Sequence, residues 1–340
     1  MLFRSYIDPD DTIDVSGGVF NYAGISIKDA HGGMSKITVQ HAFEASSNVA
    51  FAKLITRYYS KNPEQFSIRL KQLHLNQKTG IAIPGEPQPL IKEPARSDYW
   101  KTSLPFMAIG YEELLTPLQT LTLYNAVANN GCLVKPMIVK EIRSKGKVIH
   151  QYKTEVIEDS ICSSTTIKAV RKMLEGVVQN GTATNLKFDT YSVAGKTGTA
   201  KMANGKSGYT INDSVRYQAS FCGYFPADNP LYSCIVVIYD LSPKFYYGNV
   251  VSGPVFKEIA DKIYSTRVEM HKELQPDSLI VEKLPVAKKG LARETKLAYS
   301  ALSINKNIPP CEWIKFDKKT TDGHYTELVT KLKDRKSTRL

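Results

Sequence analysis

The spacing of apolar and polar residues predicts short strands and loop at the start of the chain, followed by a helix. Residues 1–36 are rich in Gly and Asp, which predicts loop with short strands. Apolar residues then recur at helical spacing from about residue 37 to residue 55. Residues 76–105 contain five prolines and are predicted to form a long ordered loop.

Three further helices are predicted from capping residues and apolar periodicity. Thr116 followed by Pro117 is typical of a helix N-terminus, because Pro is tolerated in the first helical turn. Ser164 is predicted to cap a second helix, which ends near Asn180-Gly181. Residues 251–264 have one apolar face and predict a third, amphipathic helix.

The remaining apolar segments predict strands. Residues 139–143 and 148–152 flank Ser-Lys-Gly-Lys, which indicates a hairpin. Strands are also predicted over 191–200, 219–225 and 231–240, and the last two are joined by Pro-Ala-Asp-Asn-Pro. The 231–240 segment is apolar at consecutive positions, which predicts a central strand covered on both faces.

Composition excludes several classes of protein. Hydrophobic residues make up 42% of the 340 residues, so a sizeable core can form. The net charge is +12, but much of the excess lies in the last quarter and no zinc-finger or RNA-binding pattern accompanies it. We interpret it as a solvated basic tail, not a nucleic-acid site. The five cysteines and six histidines lack metal-ligand spacing, so we predict no metal and no cofactor.

No segment predicts a membrane anchor or a signal peptide. The chain has no apolar run near the roughly 18 residues that a membrane span needs. Its first 20 residues contain four aspartates, which a signal peptide would not.

Two short motifs contain residues suited to catalysis. Ser46-Ser47-Asn48 directly precedes an apolar helix, and Lys196-Thr197-Gly198-Thr199 lies inside a predicted strand. Each also has an ordinary explanation: Ser46 alone fits a helix N-cap, and Lys196 alone fits a solvated lysine on a strand. A second Lys-Thr-Gly, at Lys78-Thr79-Gly80, lies in the proline-rich loop and is predicted to be unrelated to the site.

The two motifs resemble those of penicillin-binding proteins and serine β-lactamases, which combine an S-x-x-K nucleophile motif with S-x-N and K-T-G. Further segments resemble the class B high-molecular-weight enzymes, in the same order and over about residues 10–265. They are Gln77 to Glu86, Ile109-Gly110-Tyr111, Thr116 to Gln119, Gly181-Thr182-Ala183, Gly223 to Pro226 and Gly253 to Phe256. The resemblance implies an α+β fold of the penicillin-binding/serine β-lactamase type, with helices on both faces of an antiparallel sheet.

Acyl-transfer chemistry explains the residue types of the K-T-G strand. Lys196 would supply a positive charge near the substrate carboxylate, and the hydroxyls of Thr197 and Thr199 would donate hydrogen bonds to it. Gly198 would let the substrate lie along the strand edge. The backbone N–H of Thr199 would form the protein part of an oxyanion hole.

The S-x-N motif would complete the site except for the nucleophile. Ser46 is suited to relaying a proton, and Asn48 to binding a substrate amide and holding an active-site lysine. S-x-x-K occurs only at 144–147, in the predicted hairpin, and at 303–306, after the K-T-G strand. Neither position fits the family order. We therefore expect the chain to lack the nucleophile and to be inactive.

We expect the chain to be part of a longer protein. A truncation before the nucleophile would also have removed a membrane anchor and a preceding domain. Residues 1–268 are predicted to be the transpeptidase domain. Residues 269–340 are predicted to be a linker-like C-terminal connector that is incomplete and followed by no module.

The resemblance implies a class B peptidoglycan D,D-transpeptidase. It would bind stem peptides ending in D-Ala-D-Ala, react with β-lactams, and work with cell-wall synthesis or division proteins. The parent protein would be anchored in the inner membrane, with this domain in the periplasm. A β-lactamase or β-lactam sensor of the same fold, and a non-catalytic scaffold, are the alternatives.

The predicted hairpin over 219–240 raises the question of a disulfide. If Phe225 lies opposite Leu231, Cys222 lies opposite Cys234, with Cβ atoms roughly 4.5–5.5 Å apart. We predict two free thiols, because a cross-strand disulfide at that separation would be strained.

Overall fold

A computed structural model describes residues 6–30, 32–202, 209–211, 214–271, 289–301, 313–321 and 324–331. The chain divides into two compact units, Met1–Met270 and His271–Leu340, two residues beyond the boundary expected from the sequence. Cys311, the S-x-x-K match at 303–306 and the last nine residues lie outside the described residues.

The described helices of the first unit are distributed from residue 39 to residue 266. They are α1 (Val39–Glu44), α2 (Asn48–Tyr59), α3 (Glu64–Gln72), α4 (Ser103–Met107), α5 (Pro117–Ala128), α6 (Ser164–Gln179) and α7 (Gly248–Thr266). Thr116 caps α5 as predicted and forms a capping box with Gln119. The cap of α6 is Ser163, one residue before the predicted Ser164.

The strands of the first unit form small sheets and one larger one. The early strands are β1 (Thr12–Asp14), β2 (Val19–Tyr22), β3 (Ile25–Lys28), β4 (Lys36–Thr38), β5 (Leu90–Ile91), β6 (Glu113–Leu114) and β7 (Leu133–Val134). The later strands are β8 (Glu141–Ser144), β9 (Lys147–Gln151), β10 (Val156–Glu158), β11 (Ala194–Lys201), β12 (Thr210–Ile211), β13 (Ser214–Val215), β14 (Tyr217–Phe225) and β15 (Tyr232–Leu241).

The sheet that carries the K-T-G strand is antiparallel, in the order β11-β14-β15. On one face, Phe256 of α7 packs against Phe221, with ring centroids 4.7 Å apart. On the other face, buried Tyr224 packs with Ala126 of α5 and Leu174 of α6. Helices therefore cover both faces of the sheet, as predicted.

The prediction that β15 is a central strand is wrong for the part of the chain that the structure describes. There β15 pairs with β14 alone, and β14 is the strand with two partners. The side chains of β14 are mostly buried, whereas those of β15 are partly exposed. An apolar run indicates that both faces of a strand are covered. Helices can cover both faces of a strand at the edge of a sheet as well as those of a central strand.

The register considered for Cys222 and Cys234 differs from the observed one by one residue. Phe225 lies opposite Tyr232, so Cys222 pairs with Ile235 and Cys234 pairs with Gly223. Adjacent residues of a strand point to opposite faces, which places the two thiols on opposite sides of the sheet. Both cysteines are free, as predicted.

A separate core underlies the S-x-N motif. Val49, Ala50 and Leu54 of α2 are buried with Val39 and Ala42 of α1. This core fixes the position of the turn that joins the two helices, and α2 begins at Asn48, next to the start predicted near Val49.

The second unit contains regular structure where a linker was expected. It holds β16 (Lys289–Leu291), α8 (Ala292–Ala301), β17 (Trp313–Thr321) and β18 (His324–Lys331). The three strands form an antiparallel sheet in the order β16-β17-β18. The high charge of this segment weakened the apolar periodicity from which strands are predicted.

Candidate active site

Ser46 lies in a tight turn between α1 and α2 with a left-handed backbone, φ +55°. The N–H of Ser46 donates to the carbonyl of Phe43, and the N–H of Ser47 donates to the carbonyl of Ala42. This pair of bonds is the Schellman arrangement that ends many helices, in which glycine usually occupies the left-handed position. A serine held there indicates a functional requirement for its side chain.

The N-cap of α2 is Ser47, which removes the ordinary explanation for Ser46. The hydroxyl of Ser47 accepts a hydrogen bond from the N–H of Ala50 at 3.0 Å. The same hydroxyl donates to Asp29 Oδ2 at 2.9 Å, and Asp29 Oδ1 accepts from the N–H of Val49. With Ser47 and Asp29 occupying the helix end, the hydroxyl of Ser46 points elsewhere.

Lys196 meets that hydroxyl across 150 residues of sequence. Its Nζ donates a hydrogen bond to Ser46 Oγ and contacts the carbonyl of Thr197 at 3.3 Å. The ring of Phe43 lies beneath the amine, with 5.9 Å between Nζ and the ring centroid. Desolvation lowers the pKa of Lys196 to about 8, so this amine can gain and lose a proton near neutral pH.

A second link joins the S-x-N turn to the K-T-G strand. Thr182 Oγ1 lies 2.9 Å from Thr197 Oγ1. The N–H of Thr182 donates to the carbonyl of Glu44, two residues before Ser46. A Cβ on Gly181 would lie 2.3 Å from that same carbonyl oxygen, so only glycine allows this approach. The 181–182 segment therefore holds the two motifs in register.

Thr199 and Gly198 contact the start of α7. The N–H of Gly248 donates to Thr199 Oγ1 at 3.2 Å. A Cβ on Gly248 would lie 2.4 Å from the carbonyl oxygen of Ser220 and 2.7 Å from that of Gly198. Helix α7 therefore begins in close contact with β11, and its N-terminus adds partial positive charge beside Thr199.

Not every residue considered from the sequence takes part in the hydrogen bond between Ser46 and Lys196. Asn48 Nδ2 donates to the carbonyl of Lys28 at 3.0 Å. Lys78 lines a separate cavity formed by the segment after α3, by α5, and by Leu133 and Ile157. Thr79 and Gly80 beside it donate backbone hydrogen bonds to Glu86, which explains this second Lys-Thr-Gly as a loop feature.

Three residues of the site were not identified from the sequence. Thr182 lies in a segment that was noted only because it resembles the class B enzymes. Neither Asp29 nor Gly248 was assigned a role from the sequence. All three act through hydrogen bonds between segments distant in sequence, which periodicity does not reveal. Among the described residues, no group of three or more His, Cys, Asp or Glu side chains could hold a metal ion.

Comparison with known proteins finds similarity to one family over most of the first unit. The model of the penicillin-binding protein transpeptidase domain matches residues 2–261. PbpB of Mycolicibacterium smegmatis is 32% identical over 265 residues, which span 74% of this chain and 39% of PbpB. The peptidoglycan D,D-transpeptidase FtsI of Buchnera aphidicola is 28% identical over 285 residues, spanning 82% of this chain and 45% of FtsI.

Solved structures show the same fold. Apo penicillin-binding protein 3 of Mycobacterium tuberculosis aligns with TM-score 0.65 and 30% identity, covering 78% of this chain and 59% of that chain. The transpeptidase domain of penicillin-binding protein 3 from Burkholderia pseudomallei aligns with TM-score 0.64 and 26% identity, covering 78% and 75%.

An α+β fold in which an S-x-N turn meets a K-T-G strand is the arrangement shared by penicillin-binding proteins and serine β-lactamases. Within that class, this chain belongs to the penicillin-binding protein transpeptidase family, in its class B branch. The chain spans less than half the length of the curated relatives PbpB and FtsI.

Proposed function

We propose that this chain supplies the substrate-binding half of a peptidoglycan D,D-transpeptidase. The full protein would cross-link stem peptides ending in D-Ala-D-Ala through a serine acyl-enzyme, and β-lactams would acylate the same serine. In this chain, Lys196, Thr197 and Thr199 would bind the substrate carboxylate, and Ser46 would relay a proton. The observation that supports this most directly is the hydrogen bond between Ser46 and Lys196.

The chemistry of Lys196 fits both parts of that role. When protonated, the amine attracts a carboxylate into a groove whose strand edge also offers threonine hydroxyls. With a pKa of about 8, it exchanges a proton with Ser46 at little cost near neutral pH. Asn48 would bind a substrate amide after releasing the Lys28 carbonyl, and Gly198 would leave room for the peptide along β11.

We also propose that the full protein works in the cell envelope with cell-wall synthesis or division proteins. Its anchor would lie in the inner membrane, with this domain in the periplasm. The named relatives include FtsI and two PbpB proteins, which supports an envelope role. In the described residues, no helix is long and apolar enough to cross a membrane.

A binding experiment tests the proposed carboxylate site. We expect diacetyl-Lys-D-Ala-D-Ala to perturb the NMR signals of residues 194–201, and the L-Ala-L-Ala counterpart to do so less. Lys196→Met should weaken binding about tenfold, as expected for a charge-assisted contact of roughly 1.5 kcal/mol. Binding should also fall as the pH rises through about 8, because Lys196 then loses its charge.

Lys78→Met is the matched control, since it removes the lysine of the second Lys-Thr-Gly. It should leave peptide binding unchanged. Equal weakening by the two variants would refute the assignment of the K-T-G strand at Lys196.

A second experiment separates binding from acylation. S-x-x-K is absent before Ser46, so we expect the chain alone to form no covalent adduct with a fluorescent penicillin. Intact-mass spectrometry checks this. A stoichiometric serine-linked adduct would show that a serine of this chain is the nucleophile, and rapid turnover of a chromogenic cephalosporin would favour a β-lactamase.

A further inference from the structure

The hairpin formed by β8 and β9 extends from the rest of the first unit. The two strands pair with each other around a turn at Lys145 and Gly146, both with positive φ. Among the described residues, no third strand pairs with either of them. Every residue from 142 to 151 is exposed. Both strands therefore have an open edge. A lone two-stranded hairpin of this kind is only marginally stable in water.

The exposed side chains of this region are unusually apolar. We call residues 137–157 the hairpin surface. Its nine exposed large apolar side chains are Met137, Ile138, Val139, Ile142, Val148, Ile149, Tyr152, Val156 and Ile157. Ile149 is 66% exposed and Ile138 is 57% exposed. Single exposed apolar residues are ordinary, but nine within 21 residues indicate an interaction surface.

The hairpin surface is also basic. Two ion pairs involve its charged residues, Arg143–Glu141 at 2.7 Å and Lys135–Glu155 at 2.9 Å. They use both of its glutamates. In the described part of the chain, no ion pair includes the four other lysines, which are Lys140, Lys145, Lys147 and Lys153.

We propose that the hairpin surface binds an extended, acidic segment of another polypeptide, which adds to an open edge as a third strand. Unpaired N–H and C=O groups along the edge would bond to the backbone of the segment. Alternating apolar residues of the segment would cover the exposed Ile and Val side chains, and its carboxylates would pair with the four lysines.

Two other occupants fit less well. A second copy of this chain would bring the same lysines together, and like charges across paired strands are destabilising. An anionic lipid surface would satisfy the lysines and the apolar side chains, but it would leave the backbone edge groups without partners.

The probe for the test is acetyl-Thr-Glu-Val-Glu-Ile-Glu-Val-Thr-amide, labelled for fluorescence anisotropy. We expect it to bind at least about tenfold more tightly than the peptide with Lys in place of Glu. Replacing its central Glu by Pro, which removes one backbone N–H, should also weaken binding. Hydrogen exchange should slow within residues 141–151 when the acidic peptide is bound.

Matched charge reversals localise the binding. Lys140→Glu/Lys147→Glu should weaken it at least about tenfold, whereas Lys168→Glu/Lys172→Glu, on the exposed side of α6, should change it less than about twofold. Far-UV circular dichroism checks that both variants are folded.

Three outcomes would overturn the proposal. The first is equal affinity for the acidic and basic peptides. The second is a dimer in sedimentation that the hairpin substitution Val148→Pro abolishes. The third is binding to phosphatidylcholine–phosphatidylglycerol vesicles with the same lysine dependence and no binding to the peptide, which would assign the surface to a membrane.

Discussion

The left-handed backbone of Ser46 places a side chain where stability favours glycine. Serine has a Cβ that crowds the neighbouring carbonyl in this conformation, and the strain is of order 1–2 kcal/mol per residue. The Schellman turn tolerates that strain because the bonds from Ser46 and Ser47 to the end of α1 fix the backbone. In exchange, the hydroxyl reaches Lys196.

Comparing Ser46→Gly with Ser46→Ala tests this conformation. Both variants lose the hydroxyl, but only Gly removes the Cβ. We expect Ser46→Gly to exceed Ser46→Ala in free energy of unfolding by about 1 kcal/mol, measured by urea denaturation. Both should lose the contact to Lys196. Equal stability of the two variants would show that residue 46 does not adopt a left-handed backbone.

The contact between Thr182 and Thr197 tests the link between segments at the same scale. Thr182→Val keeps the shape but leaves the Thr197 hydroxyl without this partner, so we expect a loss of about 1 kcal/mol. Thr197→Val should give a similar loss. In the double variant the two losses should be less than additive, because one hydrogen bond is removed twice. Strict additivity in a double-mutant cycle would contradict the contact.

At the scale of elements, the position of the K-T-G strand depends on how closely α7 approaches it. The start of α7 contacts the backbone of both β11 and β14 at Gly248. The N–H of the same residue bonds to Thr199. Because carbonyl oxygens cannot move aside as a flexible side chain can, any Cβ here must displace the helix or the strand.

Gly248→Ala should therefore destabilise the protein by about 1–3 kcal/mol through overpacking. We expect the NMR signals of β11 to shift and peptide binding to weaken at the same time. Glu258→Ala, on the exposed side of the same helix, is the control and should change stability by less than about 0.5 kcal/mol. A stable Gly248→Ala variant with unchanged β11 signals would disprove the close approach.

The sequence predicted individual helices and strands better than it predicted how they pair with one another. The helix cap at Thr116, the 141–151 hairpin and the strands β11 and β14 follow from local residue patterns. The sequence indicated a helix start after the S-x-N motif, but it did not reveal that Ser47, and not Ser46, caps that helix. It also misplaced the β14–β15 register by one residue, because the Pro-containing connection does not specify how many residues form the turn.

At the scale of the whole molecule, the candidate site was accessible from the sequence only through two motifs separated by 150 residues. Their order and spacing resembled a family, and the fold brought Ser46 and Lys196 into contact. The residues that hold them in place, Asp29, Thr182 and Gly248, could not be predicted, since each acts through a bond between distant segments. The second unit was missed for a different reason: its charged strands lack the apolar alternation that a buried sheet requires.

The buried amine of Lys196 should make the stability of the whole molecule depend on pH. Its pKa is about 8 in the folded protein and 10.5 in the absence of burial. Below pH 8 both folded and unfolded chains hold the proton, and the folded state bears the full desolvation penalty. As the pH rises from 8 to 10.5, the folded state releases its proton first and the penalty disappears.

Lys196→Met should therefore be more stable than the parent chain at pH 7, by at most about 3 kcal/mol and by less because Lys196 as a whole is only half-buried. This advantage should shrink between pH 8 and pH 10.5. Urea denaturation across that range measures it, with Lys78→Met controlling for loss of a positive charge elsewhere. A constant difference between the two variants at every pH would show that burial does not perturb Lys196. A difference in free energy of unfolding that narrows as the pH rises would instead show that the buried amine of Lys196 destabilises the folded chain at neutral pH, at a position where the proposed site needs a lysine.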